Sequence, residues 1–212
     1  MKPEIASGFA RPVDAPVPLH MMDSDVARVH PGLEKRIAAR RRSVHSPENR
    51  EVRAVVRSRA RDACEYCLLP TAGTFNIEHI IPSGLWDDYV MGRLPGIAPR
   101  VARQGPHHID NYAWSCPFCN GRKKDRVMLG TGRGGARFFD PRFDYWPDHF
   151  TFLAGSAYLL IDGISPEGKA TEIGLGFNEG GAEGPLGMRH VVIVRGGYPP
   201  AWARAAYRIE GR

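Results

Sequence analysis

A stripe of small and β-branched residues repeats at helical spacing between residues 52 and 63. Its members are Val52, Val55, Val56, Ala60 and Ala63. This spacing is typical of the buried face of an amphipathic helix. Ser46-Pro47-Glu48 predicts the start of that helix, because Ser is a good N-cap and Pro is favoured at the first helical position. A second stripe contains Arg50, Arg53, Arg57 and Arg61. It predicts either a solvated face or a surface that follows a nucleic-acid backbone.

Two apolar segments downstream predict a pair of strands. Residues 74–81 are rich in β-branched and aromatic side chains and are bounded by Gly73 and Pro82, which is typical of a strand. Residues 112–115 are short and apolar, so they suit its partner. We expect a helix to begin at Cys116-Pro117 and to run to about Val127.

The pattern is weaker after residue 130. Residues 150–153 and 157–161 predict a β-hairpin, and residues 190–194 predict a last strand. Five glycines lie between residues 168 and 181. Each costs about 1 kcal/mol in a helix interior, so we expect no long helix there. Residues 179–212 indicate no function.

The N-terminal region has a different composition. Five prolines in residues 1–31, without a sustained period, predict an extended arm, and residues 33–42 predict a short basic helix. We expect an α+β fold in three parts. These are an arm at 1–45, a core at 46–130, and a C-terminal extension at 131–212 that contains the hairpin and packs on the core.

The charge of the chain favours a polyanionic partner. The formal net charge is +6. Residues 33–62 contain ten Lys or Arg and four acids, so this segment accounts for the whole excess. The N-terminus does not resemble a signal peptide, and no apolar run approaches the roughly 20 residues that span a bilayer. We therefore expect a cytoplasmic protein without membrane contact.

All four cysteines lie in two Cys-x-x-Cys pairs. We call residues 64–67 the first knuckle and residues 116–119 the second knuckle; the ligands would be Cys64, Cys67, Cys116 and Cys119. Cysteines of cytoplasmic proteins more often bind metals than form disulfides. The two pairs therefore predict a tetrahedral structural zinc site, with disulfides or a redox motif as the alternatives.

A carboxylate and an imidazole are adjacent near the end of the first predicted strand. Neighbouring strand side chains point to opposite faces, so Glu78 could hold a metal ion while His79 acts as a general base. A Glu-His pair by itself is more often structural.

Together these segments resemble the HNH endonuclease family, in its zinc-stapled ββα-metal form. The resemblance covers residues from about 50 to about 178. Its core motifs are Cys64-x-x-Cys67, Glu78-His79-Ile80-Ile81-Pro82, Asp110-Asn111, Cys116-x-x-Cys119-Asn120 and Lys123. Its C-terminal motifs are Phe139-Asp140-Pro141-Arg142, Trp146-x-x-His149-Phe150 and Gly163-Ile164-Ser165-Pro166.

The resemblance implies a metal-dependent endonuclease that hydrolyses DNA phosphodiester bonds. His79 would be the general base, and Glu78 and Asn120 would hold one divalent ion such as Mg²⁺. Asn111 would fix the loop that orients His79. The products would carry 5′-phosphate and 3′-hydroxyl ends. RNA stays open as a substrate, and no small-molecule cofactor is implied.

Several basic residues are candidates for nucleic-acid contact. They are Lys123, Lys124, Arg122, Arg53 and Arg57. Residues 83–106 form a longer connection than in the similar nucleases, and we expect it to cover the site or to contact substrate. His107 or His108 could meet the metal or a phosphate; the alternative is that both are ordinary loop histidines.

A second function class is a zinc-stapled nucleic-acid-binding module without catalysis. The intact set of Glu78, His79 and Asn120 favours the enzyme, because a protein that only binds has no need of it.

Overall fold

The chain is described by a computed structural model. The described residues are 50–70, 74–99, 105–129, 135–153, 155–157, 159–181 and 184–209. The predicted arm, the basic helix at 33–42 and the Ser46 cap lie outside them. Residues 100–104 of the long connection also lie outside.

The described residues form helices and two small antiparallel sheets, which confirms the α+β class. The helices are α1 (Arg50–Arg59), α2 (Trp86–Val90), α3 (Pro117–Lys123), α4 (Trp146–His149), α5 (Pro166–Leu175), α6 (Pro185–Val194) and α7 (Ala201–Ala206). The strands are β1 (Asn76–His79), β2 (Tyr112–Ser115), β3 (Phe150–Phe152) and β4 (Ile161–Gly163). Among these helices, none combines the length and the apolar character needed to cross a bilayer.

Helix α1 buries the predicted apolar face. Val52, Val55 and Val56 belong to the main core, and Ala60 continues this face just after the helix. Arg59, which the stripe pattern did not single out, is also buried. Its guanidinium donates to the carbonyl oxygens of Ile109 at 3.2 Å and Tyr112 at 2.8 Å. The helix is thereby fixed to the start of β2.

Strands β1 and β2 form the first sheet in the expected antiparallel pairing. Asn76 faces Ser115 and His79 faces Tyr112. The predicted bounds of β2 are confirmed. Strand β1 is shorter than the predicted 74–81, because its ladder with β2 contains only four residue pairs.

Helix α3 follows β2 directly. The Sγ of Cys116 accepts a hydrogen bond from the Cys119 backbone N–H, and Pro117 occupies the first turn. The prediction that this helix reaches Val127 was wrong. Lys124 has a φ of 48°, which ends the helical hydrogen-bond pattern after Lys123.

The predicted hairpin is present, but its second strand begins later in the chain than predicted. Phe150 faces Gly163 and Phe152 faces Ile161, so β4 begins at Ile161, and Ala157, Leu159 and Leu160 precede it.

The expectation that no long helix follows Ser165 was wrong. Helix α5 has ten residues, and the Ser165 side chain caps it by accepting from the Gly168 N–H. A Cβ at Gly168 would overlap the carbonyl oxygen of His149, and a Cβ at Gly174 would lie 2.5 Å from the Phe138 ring. These glycines permit close packing, which outweighs their cost to the helix.

The predicted strand at 190–194 was also wrong, since these residues end helix α6. Pro185 stands in its first turn. Met188, Val192 and Ile193 pack against the core, which is helical spacing. The β-branched run therefore reflects one end of an amphipathic helix.

The C-terminal extension holds three consecutive residues of the first knuckle. Arg142 forms a fully buried ion pair with Glu65. The Trp146 indole donates to the Tyr66 carbonyl at 3.0 Å, and the Tyr198 hydroxyl donates to the Cys67 carbonyl at 2.8 Å. The extension and the N-terminal half also share one apolar core. The last described residues therefore have a clear structural role.

The described part of the long connection packs against the far end of β1. Tyr89 of α2 is buried with Ile81 and Val127 in a second, smaller apolar cluster. Trp86 and Ile97 cover this cluster from the same connection.

The buried pair of Arg142 and Glu65 generates a stability prediction. Arg142→Met leaves a carboxylate buried beside the Trp114 N–H, to which it is already bonded at 2.7 Å. We expect the free energy of unfolding to fall by about 3–5 kcal/mol, since one charge loses its partner. Chemical denaturation measures this. Arg195→Met at the exposed C-cap of α6 is the matched control and should change stability by less than about 0.5 kcal/mol. Equal midpoints for the two variants would contradict the prediction.

Alanine substitutions at two helical glycines, Gly168 and Gly121, should change the stability of the protein in opposite directions. Gly168→Ala should lower the free energy of unfolding by about 1–3 kcal/mol through overpacking. Gly121→Ala in α3 should raise it by up to about 1 kcal/mol, because nothing lies within 4 Å of a Cβ there. Thermal unfolding of both variants tests the pair. Stabilisation by both would show that packing does not select the glycine in α5.

Candidate functional site

The four cysteines converge at the junction of the two knuckles. The first knuckle turns by a hydrogen bond of 2.9 Å from the Leu68 N–H to the Cys64 carbonyl. The second knuckle consists of Cys116, which is the N-cap of α3, and the first turn of that helix. All four Sγ atoms are buried and lie within 4.8 Å of one another.

This cluster fits a structural zinc ion. Four thiolates at about 2.3 Å from a tetrahedral zinc ion have sulfur atoms about 3.8 Å apart. The Sγ atoms of Cys67 and Cys116 are 3.8 Å apart. The two knuckles therefore form a site that is compatible with a metal ion such as zinc.

The four thiols also influence one another's protonation. Burial pushes the pKa of Cys64 up, but hydrogen bonds with the Cys116, Cys119 and Cys67 side chains bring it well below its usual value. Burial raises the pKa of Cys119 well above its usual value, and the neighbouring thiols raise it further. The cluster thus favours a thiolate at Cys64, and a thiolate is the form that binds metal.

Glu78 and Lys123 form a buried ion pair between β1 and α3. The Nζ of Lys123 donates to Oε1 of Glu78 at 2.9 Å and to the His79 carbonyl at 2.7 Å. The Lys123 side chain is only 1% exposed. The structure therefore places Lys123 against the strand and away from the surface where a phosphate contact was expected.

Burial acts on both members of this pair. It raises the pKa of Glu78, and the charge and hydrogen bond of Lys123 oppose that rise. Burial lowers the pKa of Lys123, and Glu78 opposes that fall. Each of the two groups therefore stabilises the charged form of the other.

His79 projects from the other face of β1 and is half-buried. Its Nε2 lies 3.1 Å from Nδ1 of His107. Its ring makes T-shaped contacts with two aromatic rings, with centroid distances of 5.2 Å to His107 and 5.1 Å to Tyr112. The His79 imidazole is therefore held by a contact of its Nε2 with His107 and by packing against the Tyr112 ring.

Asn111 fixes the loop beside His79. Its Oδ1 accepts from the Ile81 N–H at 2.9 Å, and its Nδ2 donates to the carbonyls of Ile81 at 2.7 Å and Pro106 at 3.0 Å. The Asn111 carbonyl accepts from the Ile80 N–H at 2.8 Å. The side chain is fully buried. The Asn111 side chain therefore ties Ile81 to Pro106 next to His79.

Asn120 is half-buried in the middle of α3. Residues three apart are neighbours on a helix, so Asn120 lies beside Lys123, which contacts Glu78. Asn120 and Lys123 therefore lie on the same side of α3.

Glu78 and Asn120 both offer oxygen atoms, which are the ligands that a hard divalent ion prefers. Within the described residues, Lys123 engages only Oε1 of Glu78, and the amide oxygen of Asn120 is a donor of the same chemical type. The second carboxylate oxygen and the amide oxygen would be the ligands. Among the described His, Cys, Asp and Glu side chains, the knuckle cysteines are the one group of three or more that could hold a metal.

The two adjacent histidines have different surroundings. His108 caps the short turn Ile109–Asn111 by accepting from the Asp110 N–H, and its Nδ1 lies 3.0 Å from the Asp110 carboxylate. His107 is exposed and faces His79. His107, and not His108, therefore reaches the proposed base.

Arg53 and Arg57 of α1 have partners within the fold. The Arg53 guanidinium donates to the Phe75 carbonyl at 2.7 Å and lies 5.2 Å from the Trp114 ring centroid. Arg57 is exposed and pairs with Asp62. A phosphate would have to compete with these partners.

The basic end of α3 is more accessible. Arg122 pairs with Glu179 at 2.7 Å, and both side chains are exposed. Lys124 is exposed, and no side-chain partner is found for it among the described residues.

Sequence reasoning missed the partners of His79 and of Glu78. Both are distant in the chain: His107 follows His79 by 28 positions, and Lys123 follows Glu78 by 45. The sequence suggested a nucleic-acid contact for Lys123, but burial places it against Glu78 instead.

Comparison of the chain with protein-family models, with curated proteins and with solved structures gives no match.

The cysteine geometry generates a metal prediction. Cys116→Ser removes one thiolate and the side-chain cap of α3, so we expect loss of bound zinc and of cooperative unfolding. Zinc analysis of the purified protein and thermal melting measure the two effects. Chelation of zinc from the wild-type protein should reproduce the same melting curve. Stoichiometric zinc and a wild-type melting temperature in Cys116→Ser would contradict the assignment.

Proposed function

We propose that this chain is a metal-dependent endonuclease of the HNH type that hydrolyses phosphodiester bonds in DNA. One observation carries the proposal. Glu78 and His79 project from opposite faces of β1, with the carboxylate turned toward α3 and the imidazole half-exposed beside His107. This separates a metal-binding group from a proton-accepting group within two residues.

The surrounding architecture supports the proposal. Two antiparallel strands lead directly into a helix, and the cysteine cluster joins the segment before β1 to the start of that helix. A ββα-metal nuclease core requires this order of elements. A zinc ion at the knuckles would hold α3 against β1.

The reaction requires a base, a site for the phosphate and a proton for the leaving group. His79 takes one proton from a water molecule while the water oxygen forms a bond to phosphorus. The bond between phosphorus and the 3′ oxygen breaks, and that oxygen takes a proton from solvent. The products carry 5′-phosphate and 3′-hydroxyl ends.

Glu78 and Asn120 would hold the divalent ion, with Mg²⁺ as the leading candidate. Such an ion supplies positive charge beside the scissile phosphate. Lys123 fixes Oε1 of Glu78 and the backbone of His79 at the same time. Its role in the proposed site is to position both residues, in place of the phosphate contact that the sequence suggested.

The basic end of α3 would track the nucleic-acid backbone. Lys124 is the strongest candidate, because it is exposed and has no side-chain partner among the described residues. Arg122 would exchange Glu179 for a phosphate, and such an exposed pair costs about 1 kcal/mol or less to break.

One observation favours the second function class, a zinc-stapled binding module without catalysis. Lys123 already neutralises the Glu78 carboxylate, so the fold satisfies this charge without a divalent ion. The two functions differ in catalysis, because only the endonuclease would cleave the DNA that it binds.

A plasmid assay tests the proposed function. Wild-type protein with Mg²⁺ or Mn²⁺ should nick or cut supercoiled DNA, and EDTA should stop the reaction. His79→Ala should lower the rate by about 10²–10⁴-fold, the usual contribution of a general base, while DNA binding persists. Gel electrophoresis of the plasmid and a mobility shift measure the two properties.

The matched control is His190→Ala, which removes an exposed histidine from α6. It should keep the wild-type rate. DNA that is shifted but never cut by wild type with either metal would reject the enzyme and support the binding module.

A further inference from the structure

His107 is an exposed residue that faces the proposed base directly. Its Nδ1 lies 3.1 Å from Nε2 of His79, which is within hydrogen-bonding distance. The two rings meet edge to face, at an interplanar angle of 74°. Within the described residues, His79 is the hydrogen-bond partner found for the His107 side chain.

The backbone on both sides of His107 is anchored, although its side chain is exposed. The Pro106 carbonyl accepts from the buried Asn111 amide at 3.0 Å. The His108 N–H donates to the Gly105 carbonyl at 3.2 Å, and the His108 ring caps the next turn. The loop therefore presents His107 to His79 in a defined position.

The contact between the two rings restricts where their protons lie. A neutral imidazole has one nitrogen that donates and one that accepts. If Nε2 of His79 carries its proton, it donates to Nδ1 of His107, and the lone pair of His79 is on Nδ1. If Nδ1 of His107 carries its proton instead, it donates to Nε2 of His79, the proton of His79 lies on Nδ1, and neither nitrogen of His79 can take a proton from water. Only the first arrangement leaves His79 able to act as a base.

We propose that His107 is a positioning residue that accepts a hydrogen bond from Nε2–H of His79 and so fixes the tautomer in which Nδ1 is the base. This inference rests on the nuclease function proposed above. Tyr112 contributes as well, since the T-shaped contact of its ring with the His79 imidazole limits rotation of that imidazole.

Two substitutions at the exposed position separate a hydrogen-bonding role from a steric one. His107→Asn keeps an acceptor, because its amide oxygen can take the place of Nδ1. His107→Phe keeps a ring of similar shape but has no acceptor. His190→Phe on α6 is the matched control for an exposed histidine. Thermal melting establishes that each variant is folded.

Imidazole NMR of the zinc-loaded protein gives a readout that does not depend on activity. Long-range ¹H–¹⁵N spectra at about pH 8, above the ordinary pKa of histidine, report the tautomer of His79. Its signals are assigned with a His79→Gln variant. We expect the Nε2–H form in wild type, in His107→Asn and in His190→Phe, and a mixture of tautomers in His107→Phe. An unchanged His79 tautomer in His107→Phe would overturn the inference.

Kinetics of plasmid cleavage give the second readout. His107→Phe should lower kcat by at least about tenfold while KM stays near the wild-type value, because a wrongly placed proton removes the base without affecting binding. His107→Asn should recover most of that loss. Equal activity in both variants, or equal loss in both, would reject the tautomer role.

The two readouts distinguish the inference from the function on which it rests. A wild-type protein that shows the expected tautomer, but never cleaves DNA, would support the His79–His107 contact and reject the nuclease. A protein that cleaves DNA with His79 in the other tautomer would support the nuclease and overturn the role of His107.

Discussion

The fold depends on bringing two short cysteine turns together, although 48 residues of chain separate them. Cys64 and Cys67 precede β1, whereas Cys116 and Cys119 join β2 to α3. When these four side chains meet, the chain between them must close into a loop. This loop contains the two strands of the candidate site, and the helix of the site follows it directly. A metal ion in the cluster would stabilise that closure, because the unfolded chain has no preformed site for it.

Two buried ion pairs connect this loop to the elements around it. Lys123 and Glu78 join α3 to β1, and Arg142 and Glu65 join the C-terminal extension to the first knuckle. A buried pair contributes little net stability compared with apolar packing, but loss of one partner is costly. These pairs therefore define which segments meet. The position of Glu78 is specified by the same contact that limits its freedom to bind an ion.

Local patterns predicted the elements whose cause is local. The spacing of Val52, Val55 and Val56 was enough for α1, and the two cysteine pairs were enough for the cluster. The helices α5 and α6 were missed, because Gly168 is selected by the carbonyl of His149, and because only Val192 and Ile193 of the run at 191–194 pack on a core that is distant in the chain. His107 and Lys123 acquire their roles from partners across the fold, and no single sequence contains a signal for such pairs.

The attachment of the extension to the first knuckle affects how the protein is made. Tyr198 binds the backbone of Cys67, which lies 131 positions earlier in the chain. During synthesis, both cysteine pairs leave the ribosome well before the residues that bury them. The thiols are therefore accessible to metal, and to oxidants, in the nascent chain. A metal ion that binds this cluster would therefore enter it before the extension closes over the first knuckle.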